Sequence, residues 1–343
     1  MKKTEPSIKD WKSLYDAAIA FRKIEPWEWM RETDIFGVQN PQTGEIGYCC
    51  IMGEMGEMLA IAVYLGTGGL EGYLTIRRGQ IQPDNPDSLF IQNCLMLSFE
   101  NRKLVQEDDR EIINELGLKF RGKNAWPVFR RYEPGYFPWF LNRDEVLYMT
   151  NALQQATGIC LRFKDDAKLF RAPAKDQYLV RAAEEKNGRV LWKDDWRKPS
   201  LPEKKEQGFF KPVDEVRFQR LKKTARPTPA IWEIDFFYAP TPVLEGERPF
   251  FPYAIMIIDH DTGFVIHMHL AETRLYQKEF LEKFLDCIET TSVIPLEILV
   301  RKEEAVKLLK AYASRFNIRL SQVKKLRNTD HARREMAKHL RRL

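Results

Sequence analysis

The pattern of apolar runs predicts two successive folds: an α+β domain built on an antiparallel meander with helices, then an α/β domain on a mixed sheet. Three observations carry this. Between Ile231 and Ala271 lie three strand-like runs, Trp232–Tyr238, Tyr253–Ile258 and Phe264–Leu270, with Asp-Thr-Gly between the last two as a tight hairpin turn. Beyond them helical and strand periodicities alternate to the end of the chain. Before them, helices and short strands are mixed without that alternation.

In the first part, Ser7 caps a helix whose Trp11, Leu14, Tyr15, Ala18 and Phe21 share a face, and Glu25-Pro26 ends it. DIFGV, the turn NPQTGE and IGYCCIM read as a hairpin, and EMLAIAVYL adds a third strand. GTGGLEG leads into a short helix, Cys94–Phe99 is a strand, and Asp108–Leu116 is a helix stopped by Gly117. WPVFRRYEPGYFPWF is extended and aromatic. Asn142 caps a helix expected to close at Gly158, and Asn187-Gly188 turns a final hairpin.

The expected domains are 1–198, a Pro- and charge-rich linker over 199–229 holding one short element, and 230–343. In the last of these, Tyr276–Ile288 is an amphipathic helix and Leu296–Val300 a buried strand. Glu303–Phe316 is a helix, Ile318–Val323 a strand, and Asp330 caps a closing helix.

WEIDF, YAIMIIDHDTGFVIHMHL, PLEILVRKEEAVKLLKAYASRFNIRL and DHARREMAKHL together resemble the α/β ribonuclease H-like fold of retroviral-type integrases and transposases. There, three antiparallel strands are followed by alternating helices and strands. The resemblance puts the first catalytic acid on Asp235 and the last on Glu335, but the middle position on Arg301. A guanidinium there repels the two divalent cations such carboxylates hold, and Glu303 and Glu304 read as helix-start acids. The resemblance therefore implies a degenerate, non-catalytic domain in which Arg301 pairs with Asp235 or Glu335. Over nearly its whole length the chain also resembles a group of bacterial proteins that pair two domains of unknown function. PWEWM, DIFGVQNPQTGEIGYC and MGEMGEMLAIAVYLG carry the first domain, and WEIDFFYAPTPV with RPFFPY the second.

From Arg301 onward there are fourteen Lys or Arg against four Asp or Glu. Lys324, Lys325, Arg327, Arg333, Arg334 and Lys338, with Arg341 and Arg342, have the density that phosphate contacts require. Asp259, Asp261, His267 and His269 converge on one hairpin and suit Zn²⁺ or Mn²⁺ chemically. The ordinary reading is a turn and a solvated strand face. Gly66–Gly72 lacks the Lys-Ser/Thr of a phosphate-binding loop and reads as a glycine turn. Arg130-Arg131, set among Phe129, Tyr132, Tyr136 and Trp139, could stack bases or clasp a peptide, but aromatics so placed more often fill a core.

Five cysteines without a C-x-x-C pair argue for reduced thiols and a cytoplasmic address, and no long apolar run suggests a membrane span. A start without an apolar core segment argues against a secretory signal. The expectation is a binding protein without a resident cofactor whose partner is nucleic acid or another protein. The alternatives are a Mg²⁺- or Mn²⁺-dependent nuclease using Asp235, Asp259 or Asp261, and Glu335, and a protein-interaction module on the first domain's aromatic surface.

Overall fold

A computed structural model describes residues 5–56, 58–81, 90–199, 215–246, 248–272 and 276–340. The chain forms two compact units. One contains residues 1–134 and 138–203, the other residues 135–137 and 204–343.

The first unit is a seven-stranded sheet in the order β5-β4-β3-β2-β1-β6-β7. Its strands are β1 (Phe36–Gln39), β2 (Ile46–Met52), β3 (Ala60–Leu65), β4 (Cys94–Glu100), β5 (Trp126–Tyr132), β6 (Tyr178–Lys186) and β7 (Arg189–Arg197). The expected three-strand meander is thus five strands long, every pair from β1 to β5 being antiparallel. Only β6 joins β1 in parallel. Alternation along the strands sorts their side chains onto two faces. Phe36, Val38, Cys49, Ile51, Leu95 and Leu97 pack under α1 (Ile8–Lys23) and α4 (Arg143–Asp165). Tyr48, Cys50, Ala62 and Tyr64 pack under α2 (Gly66–Arg77).

Ser7 and Asn142 cap their helices as expected, and each completes a capping box, with Asp10 and Glu145. Asn187 and Gly188 turn the β6–β7 hairpin at φ 53° and 70°. Two expectations are corrected. α4 runs through Gly158 to Asp165, because Ile159 and Cys160 carry its buried face onward. That burial outweighs the roughly 1 kcal/mol penalty of an interior glycine. GTGGLEG is the first part of α2 itself, where a Cβ on Gly69 would lie 2.6 Å from the Asn93 carbonyl oxygen and one on Gly72 2.4 Å from that of Ile91. These glycines allow helix and backbone to touch.

The second unit is a five-stranded mixed sheet in the order β10-β9-β8-β11-β12. Its strands are β8 (Arg226–Tyr238), β9 (Tyr253–Asp259), β10 (Val265–Ala271), β11 (Val293–Val300) and β12 (Arg319–Gln322). β8, β9 and β10 are mutually antiparallel, while β11 joins β8 and β12 joins β11 in parallel. This is the arrangement the ribonuclease H-like resemblance implies. One face is covered by α5 (Glu215–Thr224), α6 (Tyr276–Thr291) and α7 (Glu303–Phe316), which share a core with Trp232, Ile234, Phe236, Ile255 and Ile257. On the other face α8 (Arg327–Leu340) is seated on Phe237, Met256 and Ile258.

The described part of the expected linker, residues 215–229, is α5 and the start of β8. Phe218 and Leu221 are buried there, because an amphipathic helix of even ten residues is stabilised by docking its apolar stripe.

Candidate functional site

β8 sends its acids, with Phe237, to one side of the sheet and an apolar row to the other. Trp232, Ile234 and Phe236 enter the core under α5, α6 and α7. Glu233 and Asp235, at the alternate positions, face α8, and both are wholly buried. A buried carboxylate needs partners, and Glu233 has them. Its Oε1 lies 2.8 Å from Nδ1 of His260, and its Oε2 accepts from the backbone N–H and the hydroxyl of Thr329, each at 3.0 Å. Thr329 sits in the first turn of α8, where the helix dipole favours negative charge. The spacing of Glu233 and Asp235 in WEIDF was the signal for this clasp, since residues two apart on a strand share a face.

Asp235 is held differently. β11 runs parallel to β8 with Val300 opposite Ile234, so Arg301 emerges beside Asp235. The Arg301 guanidinium donates through Nη2 to Oδ2 of Asp235 and through Nη1 to Oδ1 of Asp330, the latter at 2.7 Å. Arg333 approaches the same Asp235 oxygen at 3.5 Å, its guanidinium 4.4 Å from the centroid of the Phe237 ring. Oδ1 of Asp235 is buried without a hydrogen-bond partner among the described residues. Burial pushes the Asp235 carboxyl above its ordinary pKa, with Arg301, Arg333 and Lys302 pulling against it. Burial likewise disfavours charge on Arg301, but the Asp235 and Asp330 carboxylates outweigh it and raise its pKa.

The expected pairing of Arg301 with an acid is therefore made with Asp235. Its second partner is Asp330, not Glu335. α8 begins at Arg327, three residues before the expected cap, so residues 329, 332, 333 and 336 face the sheet. Glu335 points into solvent and accepts from Lys338 at 2.7 Å. Lys338 holds the Glu335 carboxyl below its ordinary range.

The hairpin acids and histidines do not join Asp235. Asp259 Oδ1 accepts from the Thr262 backbone N–H at 2.9 Å and its hydroxyl at 2.7 Å, which lowers the Asp259 pKa. Asp261 is exposed. His267 and His269 do share a face, opposite Ile257 and Ile255, but it is the α6 face. There His269 Nε2 lies 2.7 Å from Glu279 Oε2. His267 is packed towards Lys283, and burial lowers its pKa. Glu303 pairs with Lys307 at 2.7 Å, and Glu304 accepts from the Tyr253 hydroxyl. Among the described residues no three His, Cys, Asp or Glu side chains form a group that could hold a metal ion. The donor set beside Asp235 does not fit Mg²⁺ or Mn²⁺, because the guanidinium that bridges Asp235 and Asp330 repels a cation from the Asp235 oxygen it leaves unmet.

Of the basic residues, Lys324, Lys325, Arg327, Arg334 and Lys338 are exposed, whereas Arg333 is half-buried against Phe237 and Asp235. Arg327, His331, Arg334 and Lys338 recur at helical spacing along one line of α8, about 16 Å long at 1.5 Å per residue. Arg341 and Arg342 lie outside the described residues. In the first unit Arg130 is consumed by Asp109, and Arg131 by Glu145 at 3.2 Å and Asn93 at 2.7 Å. Tyr136 belongs to the second unit, bridged to Phe250 and covered by Arg248 at 4.8 Å.

Residues 11–181 match the model of one domain of unknown function, DUF7309, and residues 217–337 that of another, DUF6930. Comparison with curated proteins gives no match. Among solved structures, the HTLV-2 integrase catalytic core domain, in complex with magnesium in its dimeric form, is similar at 17% identity with a TM-score of 0.22. That similarity covers 29% of this chain and 63% of the integrase chain, less than two thirds of its length.

Proposed function

The chain is a two-domain protein pairing DUF7309 with DUF6930, and we propose that it is a non-catalytic binding protein whose second unit contacts nucleic acid. The observation that supports this most is Arg301, whose one guanidinium bridges Asp235 and Asp330. Two-metal phosphoryl chemistry needs carboxylates to gather two cations about 3.5–4 Å apart. Here the positive charge between the acids belongs to the chain itself. The nuclease alternative needs Asp235, Asp259 or Asp261, and Glu335 around one ion. Glu335 faces away from the sheet, and Asp259 is spent on its own turn.

Nucleic-acid contact rests on the exposed line of α8 with Lys324 and Lys325 before it. Arginine and lysine on a helix surface meet phosphates without base readout, and each contact releases counterions. The aromatic segment offers no comparable surface, since Arg130, Arg131 and Tyr136 all have partners within their own units. A duplex oligonucleotide titrated at several salt concentrations tests the reading. Binding should weaken with a log–log slope of about −0.9 per phosphate contact. Replacing Arg327 and Arg334 by Gln should flatten that slope by roughly two contacts. Binding absent at low salt, or indifferent to salt, would remove nucleic acid from the account.

A further inference from the structure

The first unit contains a cleft of about 380 Å³ between the last turn of α1, the segment after α3 (Glu107–Glu115) and the start of β5. That volume lies in the range of small-molecule sites. Its walls are apolar: Phe99 of β4, Pro127 of β5, and Leu118 and Phe120 between them. Such a surface takes a hydrocarbon or aromatic body.

Its polar groups are all of one sign. Arg22, Lys23 and Lys119 line the cleft, and among the described residues no carboxylate does. Arg22 is oriented in advance. Its Nε donates to the Asn124 carbonyl oxygen at 3.2 Å, and its guanidinium carbon lies 5.7 Å from the centre of the Phe99 ring. Asn124 holds that carbonyl from a left-handed backbone, φ 50°, a conformation asparagine tolerates better than most residues. With Nε occupied, the two Nη groups of Arg22 have no hydrogen-bond partner among the described residues. A guanidinium fixed through one N–H with its fork still available suits a carboxylate or phosphate group. Basic residues in a last helical turn are ordinarily explained by the helix dipole. That accounts for the charge of Arg22 and Lys23, but not for Lys119, which comes from another segment, nor for the apolar walls they border.

We propose that this cleft binds an amphipathic monoanion, its apolar body on Phe99, Leu118, Phe120 and Pro127 and its anionic head on the Arg22 fork. Every residue that lines it belongs to the first unit, so the proposal does not rest on the nucleic-acid reading of the second.

The test is calorimetric titration of the full chain with octanoate, octanol and inorganic phosphate in turn. Octanoate should bind once per chain, octanol about ten-fold more weakly or worse, and phosphate alone without saturation, since head and body are both required. Arg22→Gln should weaken octanoate about ten-fold while leaving octanol unchanged and the melting temperature close to the parent's. Lys119→Gln, at an exposed rim position, should give a smaller loss in the same direction. Octanol binding as tightly as octanoate, or no saturable octanoate binding, would overturn the proposal. So would octanoate binding unaltered in a folded Arg22→Gln protein.

Discussion

Each unit buries one aspartate against an arginine, and the two pairs are built differently. In the first unit Asp109 receives Arg130 on both oxygens, at 2.9 and 2.6 Å, and the Gln106 backbone N–H at 3.3 Å. Arg130 in turn lies 4.5 Å from the Phe140 ring centre. Both oxygens of Asp109 are met, as a structural ion pair requires. In the second unit Arg301 and Arg333 crowd onto one oxygen of Asp235, and the other is buried without a partner. Arg301 divides its fork between two acids from different elements. The first is a closed two-point clasp; the second spreads one guanidinium over two acids and leaves an oxygen of Asp235 unmet among the described residues.

The contrast can be broken by substitution. Asp109→Asn should be the most damaging change, costing about 3–5 kcal/mol by stranding a buried guanidinium, read from denaturant unfolding of the first unit. Arg301→Met should cost less, roughly 3 kcal/mol at slightly alkaline pH, because Asp235 can take a proton instead. The sign of its pH dependence follows from that proton. The Asp235 pKa already lies above its ordinary value and would rise further in the variant. The folded protein then keeps a proton that the unfolded chain releases near the ordinary value of about 3.9. Stability of Arg301→Met should therefore fall as pH rises above about 4. A variant whose stability instead climbs with pH would mean that Asp235 remains ionised without Arg301.

Asp235→Asn should be milder still, about 1 kcal/mol, since it removes a charge that is only half satisfied and leaves Arg301 with Asp330. A loss as large as that of Asp109→Asn would erase the distinction between the pairs. The smallest effect belongs to the α6 face. His267 has a lowered pKa, so the unfolded chain takes up its proton first, near pH 6.5. Stability should decline as pH falls through that value. Thermal melts of His267→Gln between pH 7.5 and 5 should show a shallower decline than the parent's.

Much of the second unit was legible because its signals are local. Glu303–Phe316 forms as the helix its spacing implies. The Asp235–Arg301 contact follows from β11 ending opposite Ile234, inside the length of β8. What sequence could not supply was rotation and docking. Glu335 faces solvent because Ala332 and Met336 are the residues of α8 that dock on Phe237, Met256 and Ile258, and a helix turns 100° per residue away from them. α5 was expected only as a short element within a linker because half of its ten residues are charged, and docking of Phe218 and Leu221 shows which side is apolar. Glu233 went unnoticed because its partners, His260 and Thr329, are distant in sequence and meet only when α8 is seated. In the first unit, Gly158 signals a helix end only when burial stops there, and here it does not.

The central claim is that the cation beside Asp235 is a side chain and not an ion. Calorimetric titration of Mn²⁺ into the parent protein and into Asp235→Asn tests it most directly. Indistinguishable, non-saturating heats are expected in the two proteins, because Arg301 and Arg333 hold one oxygen of the carboxylate and their charge repels a cation from the other. A one-site isotherm in the parent that vanishes in Asp235→Asn would contradict it.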